Sequence, residues 1–174
     1  MSKSYKVSIV AVMTAISVAS RILFLAPQIK PFTAIIIFSG VMFGGSVGFM
    51  VGVLSSIVSG MFFGMNVVIV FQMLCFGLMG YIAGLLFGKK VKNNFLVALY
   101  GFVAVFFVYA PFMNYVSACL FYGRFVQIST FFLYVLAALT MDILHSIFTF
   151  LYLLVLFSKP VQSSFMKLKM FQKQ

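Results

Sequence analysis

Residues 40–64 read GVMFGGSVGFMVGVLSSIVSGMFFG, and every fourth position (Gly40, Gly44, Gly48, Gly52, Ser56, Gly60 and Gly64) carries almost no side chain. Helices in lipid associate by close packing, and rows of small residues four apart let two backbones approach. Successive fourth residues drift by about 40° around a straight helix, so seven of them cannot share one face. The cluster Gly44-Gly45-Ser46 resolves this by a break, which leaves a short row on one helix and a longer row on the next. Such a row serves either tight packing inside a small bundle or a sliding surface that repacks during transport.

The composition surrounding this stretch is that of a membrane protein. Of 174 residues, 64% are hydrophobic and 7% charged, and Asp and Glu together occur once, which leaves too little polar surface to cover a water-soluble fold. The net charge of +11 could point to nucleic acid, but against this apolar background it is explained by contact with the cytoplasmic leaflet. Nucleic acid is not an expected partner. Lys3 and Lys6 precede an apolar run that continues through Arg21 to Leu25, so the N-terminal stretch reads as a first span and not as a cleaved leader.

The charges divide the chain. From Pro31 to Gly88 there is none, and at about 20 residues per crossing that run holds roughly three spans, separated at Gly44-Gly45-Ser46 and Gly64-Met65-Asn66. A fifth run follows the cluster Lys89, Lys90 and Lys92 and is bent or ended by Pro111. The expectation is an all-α polytopic membrane protein, one integral-membrane domain over residues 1–174, with six transmembrane helices at about 5–25, 31–43, 47–63, 67–88, 94–112 and 126–157. An even count puts both termini on one side. Lys3, Lys6, Lys89, Lys90, Lys92, Lys159, Lys167, Lys169 and Lys173 then share that side, which the positive-inside rule makes the cytoplasm. Arg21, Lys30 and Arg124 fall at or near the outer face.

Little catalytic chemistry is available. One carboxylate excludes paired-carboxylate catalysis, one His with two remote cysteines excludes a zinc site, and no phosphate-binding Gly-rich loop is present. No enzyme activity, metal or cofactor is expected, and Cys75 and Cys119 read as inert buried thiols. Asp142 and His145 lie three residues apart and project from one side of the last span, either as a mutually satisfied pair that fixes helix packing, or as a proton relay or a substrate contact. Amides, aromatics and cations gather in the outer third of the chain. Lys30 and Gln28 lie in the first outer loop, Asn66 and Gln72 flank the second, and Asn114, Tyr115, Tyr122, Arg124 and Gln127 crowd the third, so that three connections could converge on one pocket. Ala11, Ala15 and Ala19 form another fourfold row in the first span, suited to internal packing or to a partner subunit.

These features together, the alanine row, the segment KPFTAIIIFSGVMFGGSVGFMVGVLSSIVSGMFFG and the following FQMLCFGLMGYIAGLLFG, resemble the S components of energy-coupling-factor vitamin importers. The resemblance implies a substrate-binding subunit that captures a micronutrient at the outer face and docks on a transmembrane coupling subunit driven by two ATPases. It implies that Ala11, Ala15 and Ala19 contact the coupling subunit, and that Lys30, Asn66, Gln72, Asn114, Tyr115, Arg124 and Gln127 lie where substrate binds. The lone, deep acid argues against a cationic ligand such as thiamine, while Arg124 and Lys30 suit a carboxylate or phosphate. Cobalamin, pantothenate, riboflavin and similar compounds all stay open, and a pocket rich in small residues favours a large vitamin such as cobalamin. Two other readings stay open: a stand-alone proton-coupled carrier using Asp142 and His145, and a membrane scaffold subunit without a pocket.

Overall fold

The computed structural model describes residues 3–24, 28–88 and 93–170, of which 166–170 are described by backbone alone. Lys89, Lys90, Lys92 and Lys173, which carry part of the sidedness argument, lie outside the described residues. The described residues are helical, with no strand among them: α1 (Lys3–Leu23), α2 (Phe32–Phe43), α3 (Gly45–Phe63), α4 (Val67–Phe87), α5 (Asn94–Tyr122), α6 (Ile128–Leu156) and α7 (Lys159–Met170). Five of these, α1, α3, α4, α5 and α6, are long and apolar enough to cross a membrane.

The shorter α2 is the centre of the bundle. Its sequence FTAIIIFSGVMF is apolar around its whole circumference, and every residue from Phe32 to Met42 is buried. A helix with no polar face must be enclosed on all sides. At twelve residues it is roughly 18 Å long, well short of the hydrocarbon thickness. Its hydroxyl at Ser39 is satisfied within the helix, donating to the Ile35 carbonyl at 2.7 Å. The outward faces of the surrounding helices are the opposite case, with large apolar side chains such as Leu74, Leu78, Phe107, Leu133 and Leu136 half or more exposed, as lipid contact requires.

The glycine row is used where the sequence breaks it. Gly44 alone joins α2 to α3, with φ of +104°, and Gly64 ends α3 with φ of +100°. Between them, Gly48 and Gly52 press on α4: a Cβ at Gly48 would meet the Gly80 carbonyl oxygen at 2.6 Å, and one at Gly52 the Phe76 carbonyl at 2.6 Å. Gly40 on α2 meets the backbone of Gly80 as well. Gly40 and Gly48 therefore face a second glycine, Gly80 on α4, with Gly84 one turn on against Gly45 and Gly40, while Gly52 faces Phe76 and Gly77.

Pro111 does not end the fifth helix. α5 passes from α-helical Asn94–Val103 through a π-helical Ala104–Tyr109 into α-helical Ala110–Tyr122. Proline lacks the N–H for the normal ladder, and a wider turn just before it absorbs the mismatch without breaking the rod. Asn114 and Tyr115 consequently lie within a helix and not in an outer connection. Beyond Phe157 the structure adds α7, which at twelve residues is too short to cross a membrane. Phe165 on α7 packs edge-on against Phe38 at 5.1 Å between centroids, beside the Phe38–Phe157 contact, also 5.1 Å. Asn94 donates to the Phe157 carbonyl at 2.6 Å and so ties the start of α5 to the end of α6.

Candidate functional site

Near the end of the bundle where α1 runs into α2, a cavity of about 330 Å³ is lined by Arg21, Gln28, Lys30, Phe32, Thr33, Gln72, Phe76, Tyr109 and His145. Each wall has a local cause. Arg21 lies in the last turn of α1, and its guanidinium is held by two hydrogen bonds, one to Ser59 on α3 at 2.9 Å and one to Gln72 on α4 at 3.3 Å. It also lies over the Phe32 ring, 4.9 Å from the centroid. Lys30 comes from the connection to α2, where Gln28 takes a positive φ of 62°. Its ammonium is 5.9 Å from the centroid of Phe63, and the guanidinium of Arg21 is 5.8 Å from the same ring.

The aromatic wall is continuous. Phe32 meets Phe76 edge-on at 5.1 Å, Phe76 stacks on Tyr109 at 4.7 Å, and Tyr109 meets the His145 ring edge-on at 5.5 Å. Tyr109 is the last residue of the π-helical turn, so the irregularity before Pro111 lies where α5 reaches the cavity. π-helical turns within α-helices are frequent at functional sites. His145 and Thr33 share a hydrogen bond of 2.9 Å, which joins α6 to the start of the buried α2.

The electrostatics are one-sided. Arg21 and Lys30 bring two cationic groups to one small volume, and no carboxylate lines it. Lys30 has its pKa lowered by burial and, secondarily, by the neighbouring Arg21 charge. The protein's one acid, Asp142, is engaged elsewhere, accepting a hydrogen bond from the Asn114 amide at 2.8 Å. This corrects the expectation that Asp142 and His145 satisfy each other: they face different partners, Asn114 on α5 and Thr33 on α2. Cys75 and Cys119, expected as buried thiols, are both free and only half-buried.

Of the seven residues expected around substrate, Lys30 and Gln72 line this cavity. Asn66 caps α4, accepting from the Ile69 N–H at 3.3 Å, and Tyr115 packs edge-on against Phe131 at 6.0 Å. Arg124 and Gln127 line a separate cavity of about 250 Å³ at the α5–α6 connection, with Tyr122, Phe125, Val126 and Thr130. Sequence reasoning missed Arg21 as a lining residue, although a cation at the end of an apolar span beside serines is the kind of residue the intramembrane-charge rule singles out. Phe32, Thr33, Phe76 and Tyr109 carried no signal of their own. On the far side of α1, Ala11, Ala15 and Ala19 are all exposed, while Val10, Met13, Thr14, Ser17 and Val18 face inward.

Helices that expose large apolar side chains outward around a polar, aromatic-walled cavity define a multi-pass membrane protein. A family model described as "ECF transporter, substrate-specific component" matches residues 6–157, and the chain belongs to that family. Neither the curated proteins nor the solved structures contain a significant match to it. The family is a class of transport proteins and not of enzymes, and it implies a coupling subunit, ATPases and a small-molecule substrate.

Proposed function

We propose that this chain is the substrate-binding subunit of an importer in the bacterial cytoplasmic membrane, forming one domain of six spans with both termini in the cytoplasm. α2 would be the second, short span. The subunit captures a vitamin or related micronutrient in the cavity beneath its outer connections and passes it through a separate coupling subunit powered by two ATPases. The observation that carries this reading is the cavity itself, to which α1, the α1–α2 connection, α2, α4, α5 and α6 all contribute. Lys30 and Gln72 bind substrate, with Arg21, Tyr109 and His145 beside them. Asn66, Asn114, Tyr115, Arg124 and Gln127 act outside this cavity or by supporting it. The exposed row Ala11, Ala15 and Ala19 is the docking face for the coupling subunit, since small side chains there permit close helix approach.

That Asp142 and His145 hydrogen-bond different partners, Asn114 and Thr33, speaks against a relay-based proton-coupled carrier, and the cavity speaks against a scaffold. Cobalamin, the vitamin favoured from sequence, is far larger than about 330 Å³, which lies at the small end of ligand pockets. Its capture would require the outer connections to move apart, whereas a smaller micronutrient needs no such opening. The test is affinity purification from native membranes together with uptake assays. Co-purification of a coupling subunit with ATPases, and uptake that needs ATP hydrolysis, is the expected result. Uptake by this chain alone, abolished by a protonophore, would overturn the proposal.

A further inference from the structure

We infer that the substrate carries an oxyanion, a carboxylate or a phosphate, seated between Arg21 and Lys30, with a flat conjugated portion lying along Phe32, Phe76 and Tyr109. This rests on reading the cavity as the ligand site. Three observations converge on it.

The first is charge balance. Two cations line one small cavity without an acid, and the only carboxylate side chain in the chain is bound to Asn114. Desolvated like charges repel, and an anion between them offsets the cost for both. The second is the state of the arginine. Ser59 and Gln72 occupy one N–H on each terminal nitrogen, and the guanidinium keeps further donors. A guanidinium fixed in this way is preorganised, so little side-chain entropy is lost when it meets a carboxylate or phosphate. The third is shape. Phe32, edge-on to Phe76, and Phe76, stacked on Tyr109, line the cavity with aromatic surface beside the cations, against which a planar ring system can pack, and the His145–Thr33 pair adds polar atoms to the same lining.

The test uses the full chain in nanodiscs of neutral lipid, with two arms. In the first, protein purified from cells grown in rich medium is heated, and the released compound is identified by mass spectrometry. In the second, benzoate, its neutral match benzamide, and phenyl phosphate are added to ligand-free protein, and thermal shift is read for wild type, Lys30→Gln and Arg21→Lys. Arg21→Lys keeps the charge and guards against simple misfolding of an Arg21 deletion. The expected result is a released compound bearing a carboxylate or phosphate. Benzoate or phenyl phosphate should stabilise wild type, benzamide should not, and Lys30→Gln should weaken the anion's apparent affinity by about tenfold or more, as loss of a charge-assisted hydrogen bond implies. The better of benzoate and phenyl phosphate identifies the anion. A neutral or cationic released compound, or equal responses to benzoate and benzamide, overturns the oxyanion assignment and leaves the binding function standing. No released compound together with no response to any probe overturns both.

Discussion

Gly48 on α3 and Gly80 on α4 touch backbone to backbone, so that a Cβ at either would come within 2.6 Å of the other's carbonyl oxygen. Neither carbonyl can move without breaking its own helix. Gly48→Leu and Gly52→Leu should therefore each lower stability in detergent by about 1–3 kcal/mol or more, the usual cost of overpacking. Gly64 has open space around its missing Cβ, but a φ of +100°. Gly64→Val should strain the α3–α4 turn and leave the helix contact intact. Thermal unfolding of the three variants checks this, and equal, negligible effects would remove the row from the packing argument.

A larger side chain at Ala15 meets nothing inside the bundle, because Ala15 is on the exposed face of α1. Ala15→Leu should fold and bind ligand like the wild type while losing transport in the presence of the coupling subunit and ATPases. Normal transport by this variant would show that the face does not dock.

The helix-forming runs were legible because lipid exposure writes long apolar segments punctuated by lysines, and the break at Gly44 because a seven-member fourfold row cannot stay on one helix. The fifth helix continues past Pro111 to Tyr122, beyond the end near 112 that the sequence predicts. A proline normally ends a ladder, and nothing in AVFFVYAP announces that a π-helical turn will absorb it. The site was half legible for a different reason. Lys30 and Gln72 are polar residues at span ends and stand out in sequence, whereas Thr33, Phe76 and Tyr109 reach the cavity only because α2 is buried centrally among the other helices. Arg124 and Gln127 also stand out, yet the chain gathers them into a separate cavity, since proximity to a loop does not specify which loops meet.

Asp142 should act through Asn114 and not through His145. Asp142→Leu removes the acceptor of the half-buried Asn114 amide, and a polar group left without its partner costs up to about 1–3 kcal/mol. Asp142→Asn keeps an acceptor and should cost less than that, with ligand affinity and uptake preserved. Calorimetric unfolding alongside an uptake assay separates the two variants. If Asp142→Asn abolishes uptake in a protein that still folds and binds ligand, the carboxylate moves a proton and the carrier reading returns.

The titratable groups facing the cavity are Arg21, Lys30, Tyr109 and His145, and Lys30 on the α1–α2 connection gives the anion site a pH signature. Burial and the Arg21 charge lower its pKa in the free protein. A bound anion favours the ammonium, so the pKa rises again in the complex. By linkage, affinity for benzoate is full below the free-state pKa and falls as pH climbs from that value towards the higher one of the complex, because the neutral amine must then take up a proton for binding. Benzoate stays ionised throughout this alkaline range, so the fall belongs to the protein. Lys30→Arg, whose guanidinium keeps its charge there, should bind benzoate with a flat alkaline profile. Tyr109→Phe removes the phenol from the comparison and should leave the fall in place. Titration calorimetry with benzoate across alkaline pH reads both outcomes, and an alkaline fall that persists in Lys30→Arg but vanishes in Tyr109→Phe would transfer the proton, and with it the anion contact, away from Lys30.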